Sequence, residues 1–139
     1  MKAIICGCGF VGSAIATYLF KEKNQVTVID TDAGKLKDLS ADLDIRTIQG
    51  LATDPDILHQ AGAKDTDLII ALTNSDEVNM MICFEAFRMF NIPMRIARIR
   101  SGYYAQTKYP FPWDEMHVDV VISPEKEIAK AIVRSLKTA

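Results

Sequence analysis

No run of about eighteen apolar residues occurs in the chain, so no segment is expected to span a membrane by itself. A secretory leader is not expected either: Met1–Cys6 is a short apolar stretch cut off by glycines, with no cleavage-type region after it. Cysteine is scarce. Cys6, Cys8 and Cys83 are odd in number and lack metal-ligand spacing, which fits a reducing cytosol and argues against a disulfide framework. Basic charge has no excess: 16 Lys and Arg against 18 Asp and Glu leave a formal charge of -2. A broad nucleic-acid surface needs clustered basic residues, so no nucleic-acid partner is expected. With 139 residues the chain is expected to form one domain, residues 1–139, with no room for a separate substrate lobe.

Catalytic side chains are equally sparse. Hydride transfer needs a substrate pocket and usually an acid or base held against the cofactor. Neither of the two histidines, His59 beside acidic neighbours and His117 in an aromatic-rich segment, falls near a predicted strand C-terminus with an orienting carboxylate, and both read as surface or structural residues. No nucleophile elbow or paired-carboxylate site is present in the sequence, and Ser75-Asp76-Glu77 is explained by acids favouring a helix start. The expectation is a site that holds a ligand rather than transforms it, and no metal site.

What is present is an alternation of short β-rich runs with longer helical stretches. Lys2–Cys6, Gln25–Asp30, Asp44–Gln49, Thr66–Thr73, Arg95–Arg100 and Asp119–Ile122 read as six strands. Leu68–Leu72 is an unbroken apolar run, as expected of a strand covered on both faces. Helices are predicted at Ser13–Lys21, at Ala33–Leu39 with Asp32 as cap, and after Asp54-Pro55 up to Gly62. Asn74 with Glu77 reads as a capping box opening Ser75–Phe90, and Ser123-Pro124-Glu125 opens a last helix. Short joints between strand and helix imply parallel pairing. The fold class is therefore α/β: a Rossmann-like, doubly wound, six-stranded and mainly parallel sheet with helices on both faces. Ser101–His117 breaks the pattern. It holds five of the eleven aromatics, and it reads as a short helix followed by a loop.

Gly7-Cys8-Gly9-Phe10-Val11-Gly12 is a GxGxxG string between a predicted strand and a predicted helix. Asp30 ends the next strand eighteen positions after Gly12, close to the ~20 expected of a dinucleotide-binding unit. In that setting Gly7 permits the tight turn, Gly9 lets the backbone approach a pyrophosphate, and Gly12 allows helix to pack on strand. Amides at the helix start, with the macrodipole behind them, face the phosphate oxygens. Asp30 accepts from ribose hydroxyls and repels a 2′-phosphate, which favours NAD(H) over NADP(H). The rival explanation is a structural glycine turn with a chance acid.

Further candidates lie at other strand ends, where this fold gathers ligand contacts. Leu51, Ala52 and Thr53 leave room for an adenine ring, or form an ordinary loop. Thr73 and Asn74 bring a hydroxyl and an amide towards the phosphates and second ribose, or cap the following helix. Arg98 sits near the end of a strand that is otherwise apolar, and its charge needs a partner. A ligand phosphate would serve, and so would Asp76 or Glu77. Arg100 shares that face further out, where a solvated role is expected. Cys8 at a helix start is either a thiol of lowered pKa acting as a redox reporter or a small residue filling the turn. The run Val78–Phe90 is apolar on more than one face, which suggests an oligomer contact beside its core role; the aromatics of Ser101–His117 are a second candidate surface.

Together Met1–Gly12, Val28–Asp32, Leu72–Asn79 and Arg95–Arg100 resemble the N-terminal TrkA-N (KTN) lobes of the RCK (regulator of potassium conductance) family. The resemblance spans essentially the whole chain, and the Thr-Asn-x-Asp-Glu-x-Asn and Ile-Ala-Arg-Ile-Arg segments are more specific than the glycine motif. It implies that Gly7, Cys8, Gly9, Phe10, Val11, Asp30, Thr73, Asn74 and Arg98 contact the dinucleotide. It also implies regulation rather than catalysis: nucleotide state alters an assembly of lobes attached to a membrane potassium transporter. Some relatives use ATP and ADP at the same loop. The implied location is cytoplasmic, peripheral at the inner face of the cell membrane. Family members carry further lobes, so the chain is expected to be a fragment or a short member, with a C2 dimer as the expected homo-oligomer. The rivals are the cofactor half of an NAD-dependent dehydrogenase and, more distantly, a methyltransferase.

Overall fold

The computed structural model describes residues 1–106, 108–122, 132–134 and 136–137. Six strands are present: β1 (Lys2–Cys6), β2 (Gln25–Asp30), β3 (Arg46–Gln49), β4 (Leu68–Ala71), β5 (Met94–Arg98) and β6 (Val120–Ile122). They form one sheet in the order β3-β2-β1-β4-β5-β6, and every pairing is parallel. Helices α1 (Phe10–Lys21), α2 (Ala33–Ser40), α3 (Pro55–Gln60) and α4 (Asp76–Phe90) accompany them.

Alternation along the strands divides the core between the two faces. Ala3, Ile5, Val26, Val28, Leu68 and Ile70 pack with Val11, Ile15, Ala16 and Leu19 of α1 and Leu36 of α2. Ile4, Cys6, Ile29, Ile69 and Ala71 face the other way, against Leu58 of α3 and Met80, Ile82, Cys83 and Ala86 of α4. The sheet is thus covered on both sides, and all four residues of β4 are buried, as its continuous apolar run requires. Each fully buried Ile or Leu contributes about 1.5–3 kcal/mol of burial free energy, so these layers fix the strand register. Register in turn fixes the site: Cys6 lies opposite Ile29 on β2 and Ala71 on β4. The residues that follow, Gly7 and Leu72, therefore leave the sheet at one level, next to Asp30 at the end of β2.

Strand order reverses between β1 and β4, and in such sheets the crevice beyond the carboxyl ends at that point is where ligands bind. Arg95 ties β5 to the approach of β6: its guanidinium is in an ion pair with Asp119 at 3.1 Å and lies 4.7 Å from the Phe87 ring centroid. His117, at a left-handed φ of 61°, stacks on Phe87 at 4.1 Å. His59 is exposed. Both histidines thus take the places expected of surface or structural residues. In the aromatic segment, Gly102–Ala105 forms a 3-10 turn. Tyr104, Phe111 and Trp113 then pack on one another and on the α4-side core, while Tyr109 remains 72% exposed.

One expectation needs correction. The capping box of Asn74 and Glu77 does not form; Ser75 is the cap, accepting from the Val78 amide at 3.2 Å. Glu77 instead accepts from the Tyr104 hydroxyl at 2.6 Å. The predicted opening of the last helix at Ser123-Pro124-Glu125 lies outside the described residues. Residues 132–134 and 136–137 are helical, with Ile132 buried in the α1-side core.

Candidate functional site

A cleft of about 890 Å³ opens at the carboxyl end of the sheet. It is lined by Gly7, Cys8, Gly9, Phe10 and Val11 from the loop after β1, and by Asp30 from β2. Ala52 and Thr53 come from the segment after β3, Thr73 and Asn74 from that after β4, and Arg98 from β5. All eleven predicted site residues therefore line one cleft, because parallel strands deliver their ends to one side of the sheet.

The glycine loop is shaped by contact. Gly7 has φ +109°, and a Cβ there would lie 2.5 Å from the Leu72 carbonyl oxygen. A Cβ on Gly12 would fall 2.0 Å from the Gly7 carbonyl oxygen, so α1 can approach β1 this closely only without a side chain. A Cβ on Gly9 would meet nothing within 4 Å. It would project into space that the loop leaves open, which is where an approaching phosphate would come against the backbone.

Helix α1 begins without help. Its cap is Gly9, with no side-chain bond, and its first turn holds no acid. By contrast α2, α3 and α4 are capped by the side chains of Asp32, Asp54 and Ser75. The amides of Phe10, Val11 and Gly12 have no carbonyl one turn back to bond, and they carry the positive end of the helix dipole at the cleft. These features suit an anion, and the donor set fits a diphosphate.

Asp30 stands beside this loop. One carboxylate oxygen accepts from the Cys8 amide at 2.6 Å, the other from the Asp32 amide at 2.8 Å. The Cys8 N–H is thereby directed at Asp30 rather than at a ligand. Each carboxylate oxygen accepts more than one bond, so capacity remains for two sugar hydroxyls. Cys8 itself is 4% exposed, with its Sγ 3.8 Å from Ser13 Oγ and 3.6 Å from the Lys35 carbonyl oxygen. Burial pushes its thiol pKa up, with the Ser13 contact opposing. That burial and the raised pKa run against the redox-reporter alternative, which needs a lowered pKa, and agree with a small residue filling the turn.

On the opposite wall, Arg98 is 5% exposed and donates through Nη2 to the carbonyl oxygens of Leu72 (2.7 Å) and Thr73 (2.8 Å). Of the carboxylates weighed as its partner, Asp76 accepts from the Arg100 and Ser101 amides, and Glu77 from Tyr104. The Thr73 hydroxyl donates a hydrogen bond to Asn79 Oδ1 at 2.6 Å. Asn74, freed from capping, is exposed at the cleft.

Sequence reasoning missed Lys35, Thr31, Asp32 and Val78, which also line the cleft. The signal for Lys35 was available: an N-cap at Asp32 starts α2 immediately after Asp30, so its first turn must overhang the same crevice. Arg100, expected to be solvated, is exposed and lines the cleft as well. Among the described residues no group of three His, Cys, Asp or Glu is placed to hold a metal ion, and no helix is long and apolar enough to cross a membrane.

Comparison with known proteins identifies the family. The family model for the TrkA-N domain matches residues 3–124. The chain is 44% identical over 137 residues to the Trk system potassium uptake protein TrkA of Halomonas elongata, covering 99% of this chain and 30% of that protein. It thus spans under a third of that relative's length. Among solved structures, the TrkA-N domain of the inner membrane protein ybaL from Escherichia coli superposes with a TM-score of 0.77 at 22% identity, covering 97% of this chain and 96% of that one. The GsuK channel bound to NAD superposes at 0.71 with 16% identity (87% and 21% covered), and GsuK bound to ADP at 0.67 with 22% identity (99% and 33%). At those identities the structures speak for the shared fold, while the family match rests on sequence: the chain belongs to the TrkA-N domain family.

Proposed function

We propose that the chain is the NAD(H)-binding regulatory lobe of a potassium-uptake system. The observation that carries this reading is the uncapped first turn of α1 with the Asp30 carboxylate beside it in one cleft. The amides of Phe10, Val11 and Gly12 hold the diphosphate, Gly9 leaves it room, and Asp30 takes the ribose hydroxyls beside it. Ala52 and Thr53 border the adenine, while Thr73, Asn74 and Arg98 meet the phosphates and the second ribose. A 2′-phosphate would meet the Asp30 charge, which disfavours NADP(H).

A second reading is an ATP or ADP sensor at the same loop. Arg98 and Arg100 both line the cleft and supply two cations suited to a phosphate chain. The relatives named as potassium-uptake proteins support the regulatory setting, and the GsuK structures bound to NAD and to ADP support the two ligand readings in turn. Catalysis is not part of the proposal: among the described residues the lining holds no histidine, and its one thiol is raised in pKa by burial.

Regulation follows from linkage. A nucleotide shifts an assembly between two states only through different affinities for them, and the assembly alters nucleotide affinity in return. The lobe works in the cytoplasm as part of a homo-oligomer, at its simplest a C2 dimer, and meets the membrane through a transporter subunit. Met81 and Met89 on α4, 46% and 54% exposed, support a protein contact on that helix. Calorimetric titration with NADH, NAD, ATP, ADP and NADPH tests the ligand. Saturable binding of NADH, with NADPH weaker, is expected. Binding of NADPH as tight as NADH would remove Asp30 from the ribose site, and failure of every nucleotide to bind would refute the function.

A further inference from the structure

Among the described residues, the least exposed polar side chain lies behind the cleft, not in it. Asn79, on α4, is 0% exposed and is not part of the cleft lining. Its Oδ1 accepts from the Thr73 amide at 2.9 Å and from the Thr73 hydroxyl at 2.6 Å. Its Nδ2 donates to the Arg98 carbonyl at 2.8 Å and to the Thr73 carbonyl at 3.2 Å. Two acceptor sites and two donor hydrogens are the full capacity of an asparagine amide. Core packing alone does not call for this residue, since a buried amide is costly unless bonded and an apolar side chain would fill the volume. What the amide achieves is a junction: it joins the ends of β4 and β5, where Thr73 and Arg98 reach the cleft.

One turn earlier, Asp76 completes the junction. Its two carboxylate oxygens accept from the amides of Arg100 (2.8 Å) and Ser101 (2.9 Å). The backbone is thus held at the Arg98 carbonyl by Asn79 and at the Arg100 amide by Asp76. The two arginines that line the cleft are carried on that clamped segment.

We propose that Asn79 and Asp76 are positioning residues for phosphate recognition, fixing the Arg98–Arg100 segment so that both guanidinium groups face the phosphate loop across the cleft. The proposal rests on the reading that a nucleotide occupies this cleft. Its physical basis is preorganisation: an arginine whose backbone is already fixed loses less freedom when it meets a phosphate. The clamp acts on the β5 side of the cleft, whereas Asp30, Ala52 and Thr53 hold the nucleoside from the β2 and β3 side. Loosening the clamp should therefore weaken phosphate-dependent affinity and spare the nucleoside part.

The test compares ADP with adenosine on the intact chain carrying Asn79→Asp or Asp76→Ala, with thermal unfolding recorded in parallel. Asn79→Asp keeps the size and the acceptor but loses both donated bonds. Asp76→Ala removes both acceptors from a partly exposed position, and it decides alone should the Asn79 variant fail to fold. The preference for ADP over adenosine is expected to fall roughly tenfold, as for loss of one or two hydrogen bonds, while adenosine affinity stays within about twofold. Asp76→Asn, which keeps one acceptor oxygen, should recover part of the preference. A merely structural clamp would lower the melting temperature and weaken both ligands equally; that outcome, or an unchanged preference, overturns the proposal. Absence of ADP binding to the unmodified chain would instead bring down the underlying nucleotide reading, and this inference with it.

Discussion

Asp30 holds the Cys8 amide at 2.6 Å, and in the proposed function the same carboxylate accepts from sugar hydroxyls. Replacing it with alanine should weaken NADH by ~1–3 kcal/mol in calorimetry, the loss expected for bonds to a charged acceptor. Asp30→Asn should lose less, because one oxygen remains to accept the loop amide. An affinity unchanged in both would refute the assignment. Gly12→Ala should cost at least ~1–3 kcal/mol in denaturant unfolding, since the new methyl would fall 2.0 Å from the Gly7 carbonyl oxygen. At this scale the sequence was informative about glycines and the acid, because motif spacing encodes close approach and chain level directly. It was uninformative about Cys8, whose pKa depends on burial that no neighbouring residue announces. With its thiol pKa pushed up, Cys8 should react with iodoacetamide more slowly than a model thiol in mildly alkaline buffer, and the difference should shrink as pH rises.

Helix α4 shows how a local signal can be displaced by one residue. Thr73, Asn74 and Ser75 are all competent caps, and sequence alone chose Asn74. The choice falls to Ser75 because Asn79 ties Thr73 back towards the helix and Asp76 and Glu77 are drawn to the segment after β5. Ser75→Ala should therefore cost about 1 kcal/mol in urea unfolding. Asn74→Ala should stay within about 0.5 kcal/mol of the parent and weaken nucleotide binding instead. The reverse pattern would restore the cap to Asn74. Strands were legible as runs of β-branched and apolar residues, with β4 identifiable by its lack of alternation. The Arg95–Asp119 pair and the Phe87–His117 stack were not legible, because they join segments over twenty residues apart through contacts that no periodicity encodes.

For the whole molecule, the parallel sheet and its switch point follow from the order of elements, and they place the cleft before any side chain is considered. The burial that makes two cores on the sheet also encloses thiols. It raises the pKa of Cys6, and it pushes that of Cys83 up to about 12 from an ordinary value of 9.0. Both groups hold their protons more tightly folded than unfolded, so the stability this contributes is fully present below the unfolded value. It is lost as pH rises from there towards the folded values. Urea unfolding of the parent should therefore show falling stability above pH 9.0, and Cys83→Ala should flatten part of that slope. Identical slopes in parent and variant would place Cys83 in contact with solvent.

The central claim is that the free amides opening α1 and the Asp30 carboxylate together hold a dinucleotide at the switch point of the sheet. The most direct measurement is a crystal structure of the chain grown with NADH. Diphosphate oxygens are expected at hydrogen-bonding distance, about 2.7–3.2 Å, from the amides at the start of α1, with a ribose hydroxyl donating to Asp30. NADH bound elsewhere, or bound in this cleft with its diphosphate away from those amides, would contradict it.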